Sequence, residues 1–584
     1  MPAPAFTTGP IPSKILIVGE AWGATEAKYK LPFMGDSGWL LNEPLQVAGL
    51  SRKDVAVTNI IHEQPPRNDM RFYFNAEGHD HWGLKPSIKI LEALSRLKQE
   101  IALFQPEVII ALGNYAAWAL TDFMDIRKVK GFGSDFKSTA SQPAPVGIMK
   151  RRGSQLRLRP ELEFRNDGTR TCVIITVHPA AVLRQYTLKP FLFDDFKRAA
   201  RGRWEEPEYK FWLSPTFSDI ADALHICRAA PTLSVDIETI PDWPTTDCIG
   251  LAWNDREAIC IPFLDQYAKP YWHRDEEITI KKNIRSLLMS HPGIVGQNFL
   301  YDQAYLLREL GAFFYPDHDT MIVEHLLKPD HPKGLDVLSS VYCRHHRYWK
   351  DESKGQDGKR DVKKLWQYNC VDCVVVPEIK HHQLAEVARR DWHDKLAERM
   401  AAYRGAFEIM NKGLKIDFEV RDKLAAQTKT AIKNRIDWLA WMLPAEMFTS
   451  GGKPWWNSPQ KQMFLFYDKL QLAPVIKPGT KRRTIDKGAI TVLKNKYPAL
   501  KDIFETLEEL HSLEISLQVL ERKLDIDGRL RYAVNLARAK TFRWSTGIHP
   551  FKIGCNMQNV SKGNEKVEFE EWDDEEDEDD GEEE

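Results

Sequence analysis

Asp236 and Glu238 stand two residues apart in the run SVDIET (234–239), interleaved with Val235 and Ile237. In a β-strand, residues i and i+2 share one face and the residues between them take the other. The run therefore specifies a strand with a buried sheet face behind it and two carboxylates side by side in front. Two more acids close later motifs, Asp302 in GQNFLYD (296–302) and Asp372 in YNCVD (368–372), both in segments of helical pattern. Two-metal phosphodiester hydrolysis needs several carboxylates around its ions, and acids on two helices could complete a site begun by the strand. One ion activates the attacking water and the other stabilises the leaving oxygen, about 3.5–4 Å away. Taken singly, each acid is equally a helix cap or an ion-pair partner.

The chain has 584 residues, too many for one core, and two to four domains are expected. Hydrophobic residues make up 43% and charged residues 28%, the balance of a soluble chain. No apolar run reaches the roughly 18 residues needed to cross a bilayer, so no membrane partner is expected. Eight scattered cysteines argue against a disulfide scaffold or a cysteine zinc site and suit a reducing compartment, hence a cytoplasmic location.

The net charge of −2 conceals a strong asymmetry. Residues 565–584 hold fifteen acids and one lysine, which is −14, so the rest of the chain carries +12. Residues 564–584 are expected to be a disordered acidic tail. The basic body suits a polyanionic partner.

Apolar β-rich runs at 14–21, 54–60, 107–114 and 171–179 alternate with helical patterns, as in an α/β domain with a largely parallel sheet over residues 11–200. Residues 131–170 read as an irregular insertion, and 201–228 as a linker. A second α/β unit is expected over 229–390, with a hairpin-like pattern at 249–263. Residues 391–563 read as mostly helical, with 501–524 the longest helical pattern and Ser458–Pro459 a good helix start.

The acidic motifs resemble those of the DEDDy 3′→5′ exonuclease domain of family A DNA polymerases. The resemblance implies a ribonuclease H-like fold, with Asp236, Glu238, Asp302 and Asp372 as ligands to two Mg²⁺ or Mn²⁺ ions. It also implies Tyr368 as the residue that orients the nucleophilic water. Asn298 and Asp319, the latter in Asp319-Thr320-Met321, would support the cluster.

The N-terminal part resembles the family 4/5 branch of the uracil-DNA glycosylases. The resemblance rests on GEAWG (19–23), PFMGDSGWLL (32–41), TNIIHEQPPRND (58–69), LGNYAAWAL (112–120) and VHPAAVLR (177–184). It implies a base-flipping pocket. Glu20 would position water, Phe33 would stack on the base, and Asn59 would read its edge. His178 would stabilise the departing base and Arg184 would meet phosphate. Trp22 replaces the usual proline. The cysteines of the family 4 iron–sulfur cluster are absent, so no such cluster is expected.

GLKID (413–417), NSPQKQMFLFYDKL (457–470), TFRWS (541–545) and NMQNV (556–560) resemble the thumb and palm entry of phage-like family A polymerases. That resemblance implies DNA contacts by Arg543, Gln558 and Asn559. Motifs resembling the catalytic palm are not found, so this chain is not expected to incorporate nucleotides by itself. The combined expectation is a multidomain α/β replication protein with a proofreading exonuclease and a partial polymerase region. It would act on single-stranded or frayed 3′ ends and on primer–template duplex, in the host cytoplasm if phage-encoded. A second chain carrying palm and fingers, a uracil-excising repair enzyme, and a non-catalytic DNA-binding subunit remain the alternatives.

Overall fold

The structure is a computed structural model. It describes residues 5–560 apart from 75–83, 131–140, 203–205, 241–244, 352–360, 450–452 and 479–481. The acidic tail lies outside the described residues. The chain divides into two units, Met1–Ala401 and Ala402–Glu584.

The first unit holds two sheets. Strands β1 (Ile15–Ala21), β2 (Val55–Ile61), β3 (Val108–Leu112), β4 (Gln155–Arg157) and β5 (Cys172–Thr176) form a sheet of order β2-β1-β3-β5-β4. All pairs are parallel except β5–β4. The strands are apolar on both faces because both faces are covered. Leu16, Val18, Ile109 and Ala111 enter one core, while Ile15, Ile17, Val108 and Ile110 enter the other. Helix α1 (Ile88–Phe104) contributes Leu97, Ile101 and Phe104 to the first core. After β3 and β5 come helices α2 (Asn114–Leu120) and α3 (Pro179–Arg184). Helix α4 (Lys189–Ala200) then contributes Leu192 and Phe196 to the second core. The span 131–170, expected to be irregular, supplies β4 as a sheet edge.

The second sheet has strands β6 (Lys210–Trp212), β7 (Leu233–Thr239), β8 (Thr246–Ala252), β9 (Glu257–Pro262), β10 (Ile294–Gly296) and β11 (His318–Asp319). Their order is β11-β10-β7-β8-β9-β6. Strands β7, β8 and β9 pair antiparallel, while β10 joins β7 in parallel. The span 201–228 carries β6, paired with β9, and a helix over Phe217–Ala229. It is thus built into this second fold. Helices α5 (Leu300–Leu310), α6 (Thr320–Leu327), α7 (Leu335–Tyr342) and the 28-residue α8 (Val362–Arg389) complete it. Helix α8 crosses β7, β8 and β9.

The two sheet-bearing parts dock through buried polar contacts. Arg152 donates from Nε to Asp195 Oδ2 at 2.9 Å and from Nη1 to Ser340 Oγ at 3.0 Å. Arg198 donates to the carbonyl of Ser340 at 2.6 Å. Arg152 and Asp195 are almost wholly buried, so each needs the other to offset its lost hydration.

In the second unit, helix α9 (Phe418–Met442) packs against helix α10 (Lys501–Leu520). Asp417 caps α9 through the Val420 N–H at 3.0 Å. Trp455, Leu465, Phe466 and Phe504 fill the core. The GLKID segment forms a short strand, Leu414–Lys415, antiparallel to Arg529–Leu530. Among the described residues no helix is long and apolar enough to cross a membrane.

Candidate metal centre and strand-end polar cluster

Strand β7 presents Asp236 and Glu238 on one face, with Val235 and Ile237 buried on the other. Helix α8 brings Asp372 over them. Each of the three carboxylates offers an oxygen, and these atoms lie within 4.8 Å of one another. Among the described residues this is the group of acidic, His or Cys side chains spaced to hold a metal ion.

A glycine permits the approach of α8. Gly250 pairs with Asp236 across the β7–β8 ladder. A Cβ there would lie 2.3 Å from Asn369 Oδ1 and 2.7 Å from Cys373 Sγ. Asn369 donates to Asp236 Oδ2 at 2.8 Å and so fixes one oxygen of that carboxylate. Its own Oδ1 is buried without a partner. Cys370 and Cys373 bracket Asp372 at C-x-x-C spacing. Both are buried with Cys248 and Cys260 in an apolar cluster, and burial pushes these thiols up. The spacing therefore builds core packing.

Burial raises Asp236 to about 8, with the negative charge of Asp372 adding to the effect. Glu238 is raised well above its usual range, first by burial and then by Asp236. Asp372 is raised by burial, but the ammonium of Lys350 works against this. Three crowded carboxylates with so little water favour either protons or a cation of higher charge. The donor set fits a divalent ion.

Asp302 is placed differently. It is buried on α5 and accepts the Ile237 N–H at 3.0 Å, outside the group of three. Tyr368 is half-buried, one turn before Asp372, and its hydroxyl accepts from Lys350 Nζ at 2.8 Å. Asn298 is exposed at φ +54°, and its backbone N–H donates to Asp319 at 3.2 Å. Asp319 also accepts from the N–H groups of Phe299, Met321 and Ile322, tying the start of α5 to the start of α6. Sequence reasoning missed Asn369, Trp349 and Lys350. Trp349 Nε1 donates to Asp372 Oδ1 at 2.6 Å, and Lys350 Nζ donates to Oδ2 at 2.5 Å.

The first sheet carries a second cluster at the carboxyl ends of its parallel strands. There β2 and β3 leave β1 on opposite sides, the place where open α/β sheets hold ligands. Glu20, at the end of β1, accepts the Tyr115 N–H at 3.0 Å. Burial raises Glu20 to about 7, opposed by the N–H groups of Tyr115 and Asn114. Gly113, at φ +96°, opens α2, and a Cβ there would lie 2.4 Å from Glu20 Oε1 and 3.3 Å from His178 Cβ. His178 is drawn down to about 4 by burial and by Arg184, so it is neutral at pH 7. Its ring stacks on Phe33 at 5.9 Å. Asn59 is opposite Gly19 in the β1–β2 ladder. It donates to the Ala21 carbonyl at 3.3 Å and keeps a buried Oδ1 without a partner. Arg184 is exposed at the end of α3. Trp22 is buried and stacks on His62 at 5.2 Å.

In the second unit Arg543 is exposed. Gln558 donates to the Trp544 carbonyl at 3.0 Å and so braces the TFRWS segment. Asn559 ends the short 3-10 turn Met557–Asn559.

A mostly parallel sheet with a glutamate, an asparagine and a histidine gathered at its strand ends defines the class of the N-terminal part, an α/β fold with a polar cluster where open sheets hold ligands. Residues 6–201 match the family model of the uracil DNA glycosylase superfamily. The chain is 34% identical over 185 residues to the type-4 uracil-DNA glycosylase of Pyrobaculum aerophilum, covering 32% of this chain and 73% of that protein. It is 31% identical over 157 residues to the type-4 enzyme of Thermotoga maritima, covering 26% and 73%. Through this N-terminal part, the chain belongs to the uracil-DNA glycosylase superfamily. Among solved structures it is similar to the POL domain of Pol1 from M. smegmatis in complex with DNA primer-template and dNTP, at a TM-score of 0.43 and 16% identity. That likeness covers 61% of this chain and 56% of the other, so the chain spans little more than half of its length.

Proposed function

We propose that this chain is a DNA-processing enzyme that removes nucleotides from 3′ ends with Mg²⁺ or Mn²⁺. The observation that carries this reading is the convergence of Asp236, Glu238 and Asp372 beside the Tyr368 hydroxyl. In it, Asp236, Glu238 and Asp372 hold the ions, two per site. Asp302 fixes the strand that presents the first two acids. Tyr368 orients the water, and Asn369 keeps one Asp236 oxygen turned away from its neighbours. The ions, when bound, lower the pKa of water and stabilise charge on the leaving oxygen. Arg543, Gln558 and Asn559 are proposed to meet duplex DNA in the second unit, where phosphate contacts set position rather than sequence. The test is a 5′-labelled single-stranded oligonucleotide incubated with the full chain and Mg²⁺. A ladder shortening from the 3′ end, lost in Asp236→Ala/Glu238→Ala, is expected; an intact oligonucleotide would overturn the reading.

A second reading is favoured by family membership and by the polar cluster around Glu20. We propose that the pocket excises uracil. Phe33 stacks on the base, Asn59 offers its unpartnered oxygen to the base edge, neutral His178 donates to the departing base, and Glu20 acts on water as its charged form fills above about pH 7. Release of free uracil from single-stranded DNA, lost in Glu20→Gln and Asn59→Ala, tests this. Binding of uracil-containing DNA without release would leave the pocket as a sensor.

A further inference from the structure

Helix α7 is followed by a strap, Cys343–Asp351, that touches both sheet-bearing parts of the first unit. Its early residues are fixed on the glycosylase-type fold. Arg198 donates to the Arg344 carbonyl at 2.9 Å. His346 is bonded twice to Gln155, its carbonyl accepting the Gln155 backbone N–H at 2.8 Å and its backbone N–H donating to the Gln155 side-chain Oε1 at 3.0 Å. The Tyr348 N–H donates to Ser154 Oγ at 3.1 Å, and Asp351 pairs with Lys150. Between these anchors Trp349 and Lys350 turn the other way, into the carboxylate cluster.

Trp349 and Lys350 take one oxygen each of Asp372. The indole is neutral and only orients the carboxylate. Lys350 brings a full positive charge, bonds the Tyr368 hydroxyl at 2.8 Å, and lies 4.7 Å from the centre of the Tyr368 ring. Lys350 Nζ sits on one of the two Asp372 oxygens, so its positive charge lies beside the group that would hold a divalent ion and opposes that ion's charge. A lysine suits this place because its charge sits on a flexible four-carbon stem and can leave while the backbone stays anchored.

We propose that Lys350 is a positioning residue of the metal site: its ammonium holds Asp372 and Tyr368 in place without metal, and a divalent cation loads by displacing it. The proposal rests on the nuclease reading of this cluster. It makes the lysine a competitor of the ion, so removing its charge tightens metal binding while leaving every metal ligand intact.

The test is direct Mn²⁺ titration of the full chain without DNA, following free Mn²⁺ by electron paramagnetic resonance. Lys350→Met and Lys350→Gln are expected to bind Mn²⁺ about tenfold more tightly than wild type, the factor that one charge-assisted hydrogen bond carries. Lys350→Arg, which keeps the charge, is expected to stay near wild type. Two neutral variants keep the test decisive if one folds poorly. Wild-type or weaker affinity in the folded neutral variants would overturn the role of Lys350 and leave the nuclease reading standing. Wild-type uptake no different from that of Asp236→Ala/Glu238→Ala would instead remove the metal centre itself.

Discussion

Asp236 is the residue on which the site's electrostatics turn. Its carboxyl is raised to about 8 from an ordinary value near 3.8, by burial and then by Asp372. A group raised on folding contributes stability at low pH and loses it as pH climbs through the folded value. The metal-free chain is therefore predicted to lose stability between about pH 4 and pH 8, and Asp236→Asn to flatten that slope. Calorimetric melting in EDTA across this range measures it. Because metal ligands must be deprotonated, Mg²⁺ is predicted to raise the melting temperature more at pH 8.5 than at pH 6. Not every acid was equally legible. The i, i+2 spacing of Asp236 and Glu238 fixes their common face in any strand. The spacing that located Asp302 says nothing of its partners: one oxygen accepts the Ile237 N–H, and the carboxyl is raised by burial and by the neighbouring Asp236. Lys350 could not be read at all, because it reaches the site through a strap with no periodicity.

At the scale of elements, helix α8 is the piece that assembles the centre, and Gly250 sets how close it comes. Gly250→Ala is predicted to destabilise the first unit by about 1–3 kcal/mol, the range for overpacking a filled core. It should also weaken Mn²⁺ binding by pushing Asn369 and Asp372 outward. A variant with unchanged melting and unchanged Mn²⁺ affinity would show that the helix has room to spare. The strands of the first sheet were readable from apolar runs: β1, β3 and β5 lie inside the segments 14–21, 107–114 and 171–179, and β2 runs one residue past the segment 54–60. Strand β6 was not. Lys210–Trp212 is three residues long, and only its pairing with β9 makes it a strand. Helix α2 ends at Leu120, where Thr121 turns extended.

For the first unit as a whole, the buried contacts between its two sheet-bearing parts matter most. Arg152, which reaches Ser340 of the other part, is paired with Asp195 of its own, and both are nearly inaccessible. Truncating Arg152 leaves Asp195 without its ion-pair partner, with the Thr176 hydroxyl still bonded to it. Arg152→Ala is predicted to cost about 3–5 kcal/mol, visible as a lower unfolding midpoint in urea. Loss of less than about 1 kcal/mol would mean that water reaches Asp195. This docking lies outside what a sequence pattern can show, since Arg152 and Ser340 are far apart in the chain and neither stands in a motif. Family membership was legible because the glycine-rich loop and the strand-end polar residues of the first 200 positions stand together as motifs.

The most direct test of the central claim is a single-turnover time course on one oligonucleotide labelled in parallel at its 5′ or 3′ end, with Mg²⁺ and the full chain. The 3′ label is predicted to appear as a mononucleotide from the first time point, while the 5′ label shortens stepwise. Both should cease in EDTA and in Asp236→Ala/Glu238→Ala. Internal fragments from the outset, or hydrolysis that persists in the double variant, would contradict the assignment of Asp236, Glu238 and Asp372 as a 3′-end nuclease centre.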